Sequence, residues 1–324
     1  MGHTPDALPS FLAQLKKQVM SKVSVIIPTR NRCRLLRRAI ESAQLAGTDV
    51  EIVVVDVASE DETASACAGL ASRGVIHYVR MSRPLPPACA RNAGLLSCTA
   101  PYISFLDDDD IRLPGSLDKQ LDTLDSEPEA GMIYVKVFYG DENGETAGDS
   151  YPGHCPEGDL FWELMRWNFI PCATIVFRRE CLTRVGLLDD DIPGIEDWDL
   201  WVRIAELYPV ISTAEPAAIW RRSNPSSQQF TSRGEELHRR ARALHKNKWL
   251  RLPRALAASD DQRRKAKNEF ASTAAQQLVW EAASNLKAKR LPGFARVAFA
   301  GALMYPIGVS RKLLQLGYSQ YRLR

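Results

Sequence analysis

Four consecutive carboxylates, Asp107-Asp108-Asp109-Asp110, are the residues of this chain best suited to chemistry. Like charges this close repel, so gathering them away from water is costly without a cation. Oxygen ligands at this density suit Mg2+ or Mn2+, ions that keep positions for water and substrate phosphate. An isolated acidic run is ordinarily a solvated loop. This one directly follows the apolar run YISFL, and acids at the end of a buried strand read as a ligand site. A second acidic group, Glu196-Asp197-Trp198-Asp199, opens a helical pattern in which Trp198, Trp201 and Ile204 share a face. Acids at a helix start have an ordinary reason, the helix dipole. The chemical reason is a carboxylate serving as general base toward a hydroxyl. A third group, Arg91-Asn92 followed by Ala93-Gly94, offers a guanidinium to a phosphate or to the acidic run, beside small residues that admit close helix packing. A surface arginine is the bland alternative.

These groups need elements to position them. VSVIIP (23–28), EIVVVDV (51–57), VIHYVR (75–80) and YISFL (102–106) are apolar, β-rich runs that predict strands. Between them, residues 33–46, a segment from SEDET to about Ser72, and 87–97 predict helices, with Ser59 as N-cap and Glu62 completing a capping box. Strand–helix alternation of this kind makes a parallel α/β sheet, and continuous rather than alternating apolar strands place it between two covered faces. Ligands bind beyond the carboxyl ends of such strands. The polar segments TRNR, DVASED and DDDD all fall there. After Leu113 the pattern turns mixed: a helix over 116–125, an exposed or edge strand GMIYVKVFYG, the turn DENGET, a strand ATIVFR (173–178) and a helix over 197–207. NPSS, from about Ser223, marks a linker, and helices follow over 234–249, 260–289 and 292–304.

Composition bounds the class. The 324 residues are 45% hydrophobic and 25% charged, an ordinary globular balance, with no fixed-period repeat. No run of about 18 uncharged apolar residues predicts a membrane span, and the first twenty residues lack the order of a secretory leader. Seven scattered cysteines without a CxxC read as free thiols of a cytoplasmic protein, and no His/Cys grouping has zinc spacing. The net charge of +3 hides an asymmetry. Residues 221–324 hold 22 Lys/Arg against 6 Asp/Glu, and the rest of the chain is net acidic.

In order along the chain, SVIIPTRNR, VVVD, ARNAGL, FLDDDD and VGLLDDDIPGIEDWDLW resemble the family-2 glycosyltransferases of the GT-A fold, over roughly residues 22–222. The resemblance implies a catalytic domain over 22–222, with a nucleotide-sugar half at 22–113 and an acceptor half at 114–222. Residues 1–21 form an N-terminal segment and 223–324 a basic helical region. It places Pro28, Thr29 and Asn31 beside the nucleotide base and ribose, Asp56 in the base pocket, and Arg91 on the base or diphosphate. Asp107 and Asp109 stand as the DxD carboxylates, with Asp109 the direct ligand of Mn2+ or Mg2+ and Asp108 or Asp107 near the ribose. Asp197 is the implied catalytic base, and Glu196 orients it or binds acceptor. The implied reaction is inverting transfer from a nucleotide sugar to a hydroxyl of a glycan or lipid-linked acceptor, as in bacterial surface polysaccharide synthesis. One departure stands out. Where relatives carry a second acid and a glycine after the second strand, this chain has Val57 and Ala58, so a preference for UDP is open to question. A non-catalytic nucleotide-sugar binder or assembly protein is the alternative. A sugar-1-phosphate nucleotidyltransferase is disfavoured because PTRNR lacks its glycine-rich loop.

The basic tail lies outside the resemblance. Basic clusters stand at Arg263–Lys267 and Lys287–Arg290, and between Arg296 and Arg311 lies a 14-residue uncharged stretch, VAFAGALMYPIGVS, too short to span a membrane but suited to an interface. It reads either as a helical appendage packed on the catalytic unit or as a contact to an anionic membrane surface on the cytoplasmic side. Nucleic acid is disfavoured, since no recognised motif accompanies the charge.

Overall fold

The computed structural model describes residues 21–141, 143–221 and 234–309. The alternation expected for the first half is present: β1 (Val23–Thr29), α1 (Cys33–Leu45), β2 (Val50–Val57), α2 (Thr63–Ala71), β3 (His77–Met81), α3 (Pro87–Ser97) and β4 (Tyr102–Phe105). β3, β2, β1 and β4 lie side by side and parallel. β1 is buried along almost its whole length, as a strand covered on both faces must be. α3 lies tight against it because Gly94 has no side chain: a Cβ there would stand 2.4 Å from Ile26 Cγ2. Pro87 starts α3 in the first turn, where a missing N–H costs nothing.

The capping expectation at the second helix is corrected. α2 begins at Thr63, with Glu62 at the cap position and no side-chain cap. Ser59 is drawn away to the neighbouring loop, where its hydroxyl accepts the Asn31 N–H at 2.9 Å.

The second half extends the same sheet. It comprises β5 (Ile111–Arg112), α4 (Ser116–Ser126), β6 (Met132–Gly140), β7 (Thr146–Tyr151), α5 (Phe161–Arg166), β8 (Val176–Arg178), α6 (Cys181–Val185), α7 (Glu196–Leu207) and β9 (Val210–Arg221). The strand order is β3-β2-β1-β4-β8-β6-β9-β5, with β7 paired to β6. β8 runs antiparallel to both β4 and β6 and converts the parallel half into a mixed sheet. β9 is a strand the sequence pattern does not predict. It pairs in parallel with β6, and its register slips between Thr213 and Ala218, opposite Val135 and Val137. The polar stretch and Pro216 occupy this bulge, where a residue without an N–H breaks no ladder.

Beyond β9 the described chain is helical and includes α8 (Gly234–Asn247), α9 (Pro253–Ala257), α10 (Asp260–Lys287) and α11 (Leu291–Met304). Ser259 caps α10, its hydroxyl accepting the Gln262 N–H. These helices share a core with the sheet. Trp249, Phe270 and Leu278 join Ile26, Phe161, Trp198 and Trp201 in one buried cluster, and Leu36, Ile40, Val25 and Ile27 belong to a second. Asp199, fully buried, stitches the two regions: it accepts hydrogen bonds from Arg203 Nε at 2.8 Å, Lys248 Nζ at 2.9 Å and Trp249 Nε1 at 2.9 Å. All seven cysteines are unpaired. Among the described residues, no helix is long and apolar enough to cross a membrane.

Candidate active site

The loops after β1 and β2 are clipped together at the carboxyl edge of the sheet. Asn31 adopts φ 55°, and its backbone N–H reaches Ser59 while its Oδ1 accepts the Glu60 N–H at 2.7 Å. Asp56 holds the clip from behind. It is fully buried, with Oδ1 accepting the Ser59 N–H at 2.8 Å and Oδ2 accepting from the Tyr78 hydroxyl at 2.7 Å and Arg80 Nη1 at 3.1 Å. Asp56 therefore stands behind the wall of the cleft, and its neighbour Val57 lines it.

The acidic run is a tight turn between β4 and β5, closed by the Asp110 N–H on the Asp107 carbonyl at 3.1 Å. Its side chains point to different partners. Asp108 accepts from the Thr29 hydroxyl at 2.7 Å and from Arg32 Nη1 at 2.9 Å. Asp109 is paired with Arg32 at 3.2 Å and with the Arg221 guanidinium. Asp110 accepts the Arg221 backbone N–H at 3.0 Å. Asp107, the most open with 41% of its side chain exposed, pairs with Arg91 Nη2 at 2.7 Å. Burial, with help from Asp109 and against the pull of Arg32, pushes the Asp108 carboxyl up to about 6. Burial and the charges of Asp109 and Asp107 hold Asp110 well above the ordinary carboxylate range. Asp107, Asp109 and Asp110 bring carboxylate oxygens within 4.8 Å of one another. Closely set oxygen donors of this kind fit a divalent cation.

The second acidic group faces the first across the same cleft. Its members divide the work at the start of α7. Glu196 is buried, accepting from Arg91 Nη1 at 2.6 Å and from the Gly194 N–H. Arg91, itself 6% exposed and lying over the Phe105 ring, thus bridges Glu196 to Asp107 and fixes the two acidic motifs relative to each other. Asp197 is half-buried and lines the cleft, with Oδ1 accepting the Trp198 N–H at 2.6 Å. Burial, reinforced by Glu196 and opposed by Arg91, pushes its carboxyl up to about 7. Asp199, the third acid, serves packing as described above.

Pro28, Thr29, Asn31, Arg91, Asp107, Asp108, Asp109, Glu196 and Asp197 all line one cleft of about 1230 Å3; Asp56 does not. Arg32 and Arg221, which also line it, escape the sequence reading. Arg32 had a signal, as a cation in the TRNR segment facing a run of acids. Arg221 had none, since it ends the strand whose pattern is broken at Pro216.

Comparison with known proteins agrees with this geometry. The family model described as "Glycosyl transferase family 2" matches residues 24–185. The succinoglycan biosynthesis protein ExoU of Rhizobium meliloti is 27% identical over 241 residues, covering 68% of this chain and 69% of ExoU. The pre-mycofactocin glycosyltransferase of Mycobacterium tuberculosis is 29% identical over 196 residues, covering 57% and 39%. An uncharacterized glycosyltransferase of Rickettsia felis is 27% identical over 199 residues, covering 58% and 32%. The matched region therefore spans only about a third to two fifths of the length of these last two relatives. Among solved structures, the mannosyltransferase PcManGT from Pyrobaculum calidifontis, in complex with GDP-Man and Mn2+, superimposes with a TM-score of 0.54 at 19% identity, over 93% of this chain and 94% of that one. TarS 1-349 of S. aureus in complex with UDP-GlcNAc gives 0.53 at 15% identity, over 85% and 90%. Those likenesses are of fold, the GT-A fold; the sequence match goes further, and by it this chain belongs to glycosyl transferase family 2.

Proposed function

We propose that this glycosyltransferase moves one sugar, with inversion, from a nucleotide-sugar donor to a hydroxyl of a glycan or glycolipid acceptor in bacterial surface polysaccharide synthesis. The observation that carries the reading is the placement of Asp197, raised toward neutrality, in the same cleft as the Asp107–Asp110 turn. In this reading residues 22–222 form the catalytic unit, with 22–113 holding the donor and 114–222 facing the acceptor. Pro28, Thr29 and Asn31 flank the base and ribose, and Asp56 supports them through the Ser59 clip. Val57, apolar where relatives carry an acid, faces the base. The relatives of known fold hold UDP-GlcNAc or GDP-Man, so both bases are candidates.

Asp107 and Asp109, with Asp110 beside them, would hold Mn2+ or Mg2+. Such an ion supplies neutralisation of the diphosphate as negative charge builds on it. The protein's own part is proton and position. Asp197 accepts the proton of the acceptor hydroxyl; the oxygen bonds to the anomeric carbon, and the bond to the diphosphate breaks with its electron pair leaving on phosphate oxygen. Glu196 holds the start of α7 against Arg91, so the base stays at a fixed distance from the acidic turn. The ions Arg32 and Arg221 keep the turn folded before the donor arrives.

The basic region 223–324 is proposed to rest on an anionic membrane surface at the cytoplasmic face. The support is an exposed apolar stripe on α11 carrying Leu291, Phe299 and Leu303.

A thermal-shift screen of GDP-mannose and UDP-GlcNAc with Mn2+, paired with a transfer assay, tests the roles. Asp109→Ala should abolish the metal-dependent shift. Asp197→Asn should keep the shift and lose transfer by about 10²–10⁴-fold. A base works only when deprotonated, so wild-type kcat/KM should fall about tenfold per pH unit below about 7. Full turnover by the Asn variant would remove Asp197 from the mechanism.

A further inference from the structure

The cleft is larger than one nucleotide sugar needs. Single-ligand pockets run to roughly 300–1,000 Å3, whereas this cleft has about 1230 Å3 and continues past Asp197 onto the C-terminal helices. We infer that this arm, walled by Trp167, α8 and α10, is a saccharide-binding groove that holds the sugar residues of the acceptor behind the attacking hydroxyl. The inference rests on reading the cleft as a glycosyl-transfer site.

An aromatic ladder starts beside the base. The Trp198 ring meets Trp167 edge-on at 6.1 Å, and Trp167 stacks with His238 of α8 at 6.3 Å and 26°. From α10, Gln277, Trp280, Glu281 and Ser284 line the same cleft. They are spaced i, i+3, i+4 and i+7, which places them on one helical face. Trp280 is 74% exposed, a large apolar ring held in water with no structural need for it. Flat aromatic faces interleaved with amide, hydroxyl and carboxylate groups match a pyranose, which has an apolar C–H face and a rim of hydroxyls. Burial keeps His238 neutral, at about 4, so it stacks on Trp167 without charge.

The charge of the arm argues against an anionic occupant. The region 221–324 has 22 basic and 6 acidic residues. Yet no Lys or Arg from α8, α10 or α11 lines the cleft among the described residues, and Glu281 does. A groove for phosphate or for an acidic polymer would draw on that supply of cations. This groove excludes it.

Saturation-transfer NMR with maltotetraose, cellotetraose, mannotetraose and chitotetraose tests the groove directly, because no activity is needed. At least one tetraose should bind the full chain. Trp280→Ala and His238→Ala should each weaken that binding by about tenfold or more, while Lys287→Ala, outside the groove, leaves it unchanged. Trp280 is exposed, so its removal does not threaten the fold. Binding by none of the four, or binding that survives both aromatic substitutions, overturns the inference. A thermal shift with GDP or UDP and Mn2+ on the same samples separates the two readings. Tetraose binding that depends on Trp280 without any nucleotide shift upholds the groove and sinks the donor site. A nucleotide shift without tetraose binding does the reverse.

Discussion

Ala58 occupies φ 54°, a left-handed backbone conformation that a Cβ disfavours by about 1–2 kcal/mol. It stands immediately before Ser59, whose N–H anchors Asp56 and whose hydroxyl anchors Asn31. The loop is thus held in a strained state by three hydrogen-bonded neighbours. Ala58→Gly should relieve the strain, net of the extra freedom glycine has unfolded, by about 1 kcal/mol. For a chain of this size the melting temperature should rise by about 2 °C. A calorimetric scan reads it, and an unchanged or lower midpoint would show that the position is not strained. At this scale the sequence was legible wherever the chemistry is contiguous. The acidic run and the Glu196-Asp197 pair are visible as neighbours in the chain, and Asp107, Asp109 and Asp197 share the cleft expected of them. Pairings between distant residues were not legible. Arg32 meets Asp108 across 76 residues and Arg221 meets Asp109 across 112, separations that no local pattern encodes. Asp56 illustrates the opposite limit: its type and place were readable, but its inward direction depends on Tyr78 and Arg80 from β3.

The helices act as struts whose ends are the functional parts. α7 begins at Glu196 and Asp197 and buries Trp198, Trp201 and Ile204 on the face that their spacing predicts. Its far anchor is the 3-10 turn at Trp249–Arg251, through Asp199, and that turn in turn rests on His245 of α8. His245 is 4% exposed, stacked at 4.3 Å on Phe270 of α10, and its Nε2 has no partner. Burial, with a smaller push from Lys267, lowers its value to about 4. The folded value lies below the unfolded one near 6.5, so the unfolded state binds the proton more tightly. This contribution is complete above pH 6.5 and is lost as pH falls toward 4. At pH 5 the loss is about 2 kcal/mol. Asp108 and Asp197, whose values are raised, shift stability the other way, so the informative quantity is a difference. Urea midpoints should fall more steeply between pH 7.5 and 5 for wild type than for His245→Phe. Parallel curves would mean that the ring is already hydrated. Elements with unbroken periodicity were readable to within a few residues, α3 and α7 among them. β9 was not, because a strand split by a bulge at Pro216 has no period of its own and is specified by β6 beside it.

At the scale of the whole molecule, an acidic body and a basic C-terminal region meet in one buried core among the described residues. The described C-terminal helices share a buried core with the sheet, so the basic residues they carry are held on the same folded body. The same scaffold turns an apolar stripe outward: Leu291, Phe299, Leu303 and Ile307 are each more than 60% exposed. Exposed apolar surface of this extent has a reason when it marks a contact, and basic residues around it select an anionic partner. Inserting Phe299 and Leu303 into a lipid interface removes their side chains from water, a gain of roughly 1.5–3 kcal/mol each. Phe299→Ser/Leu303→Ser should therefore weaken binding to phosphatidylglycerol vesicles by about 100-fold or more, with the fold intact because neither side chain packs inward. Raising the salt concentration should weaken the wild type in parallel by screening the basic residues, and phosphatidylcholine vesicles should bind less. Vesicle flotation measures all three. If wild type and double variant float equally, or if neither floats, α11 does not dock on lipid. If only the variant is released, α11, packed on α10, holds the molecule at a membrane, where a lipid-linked saccharide would be at high local concentration near the groove beside Trp280.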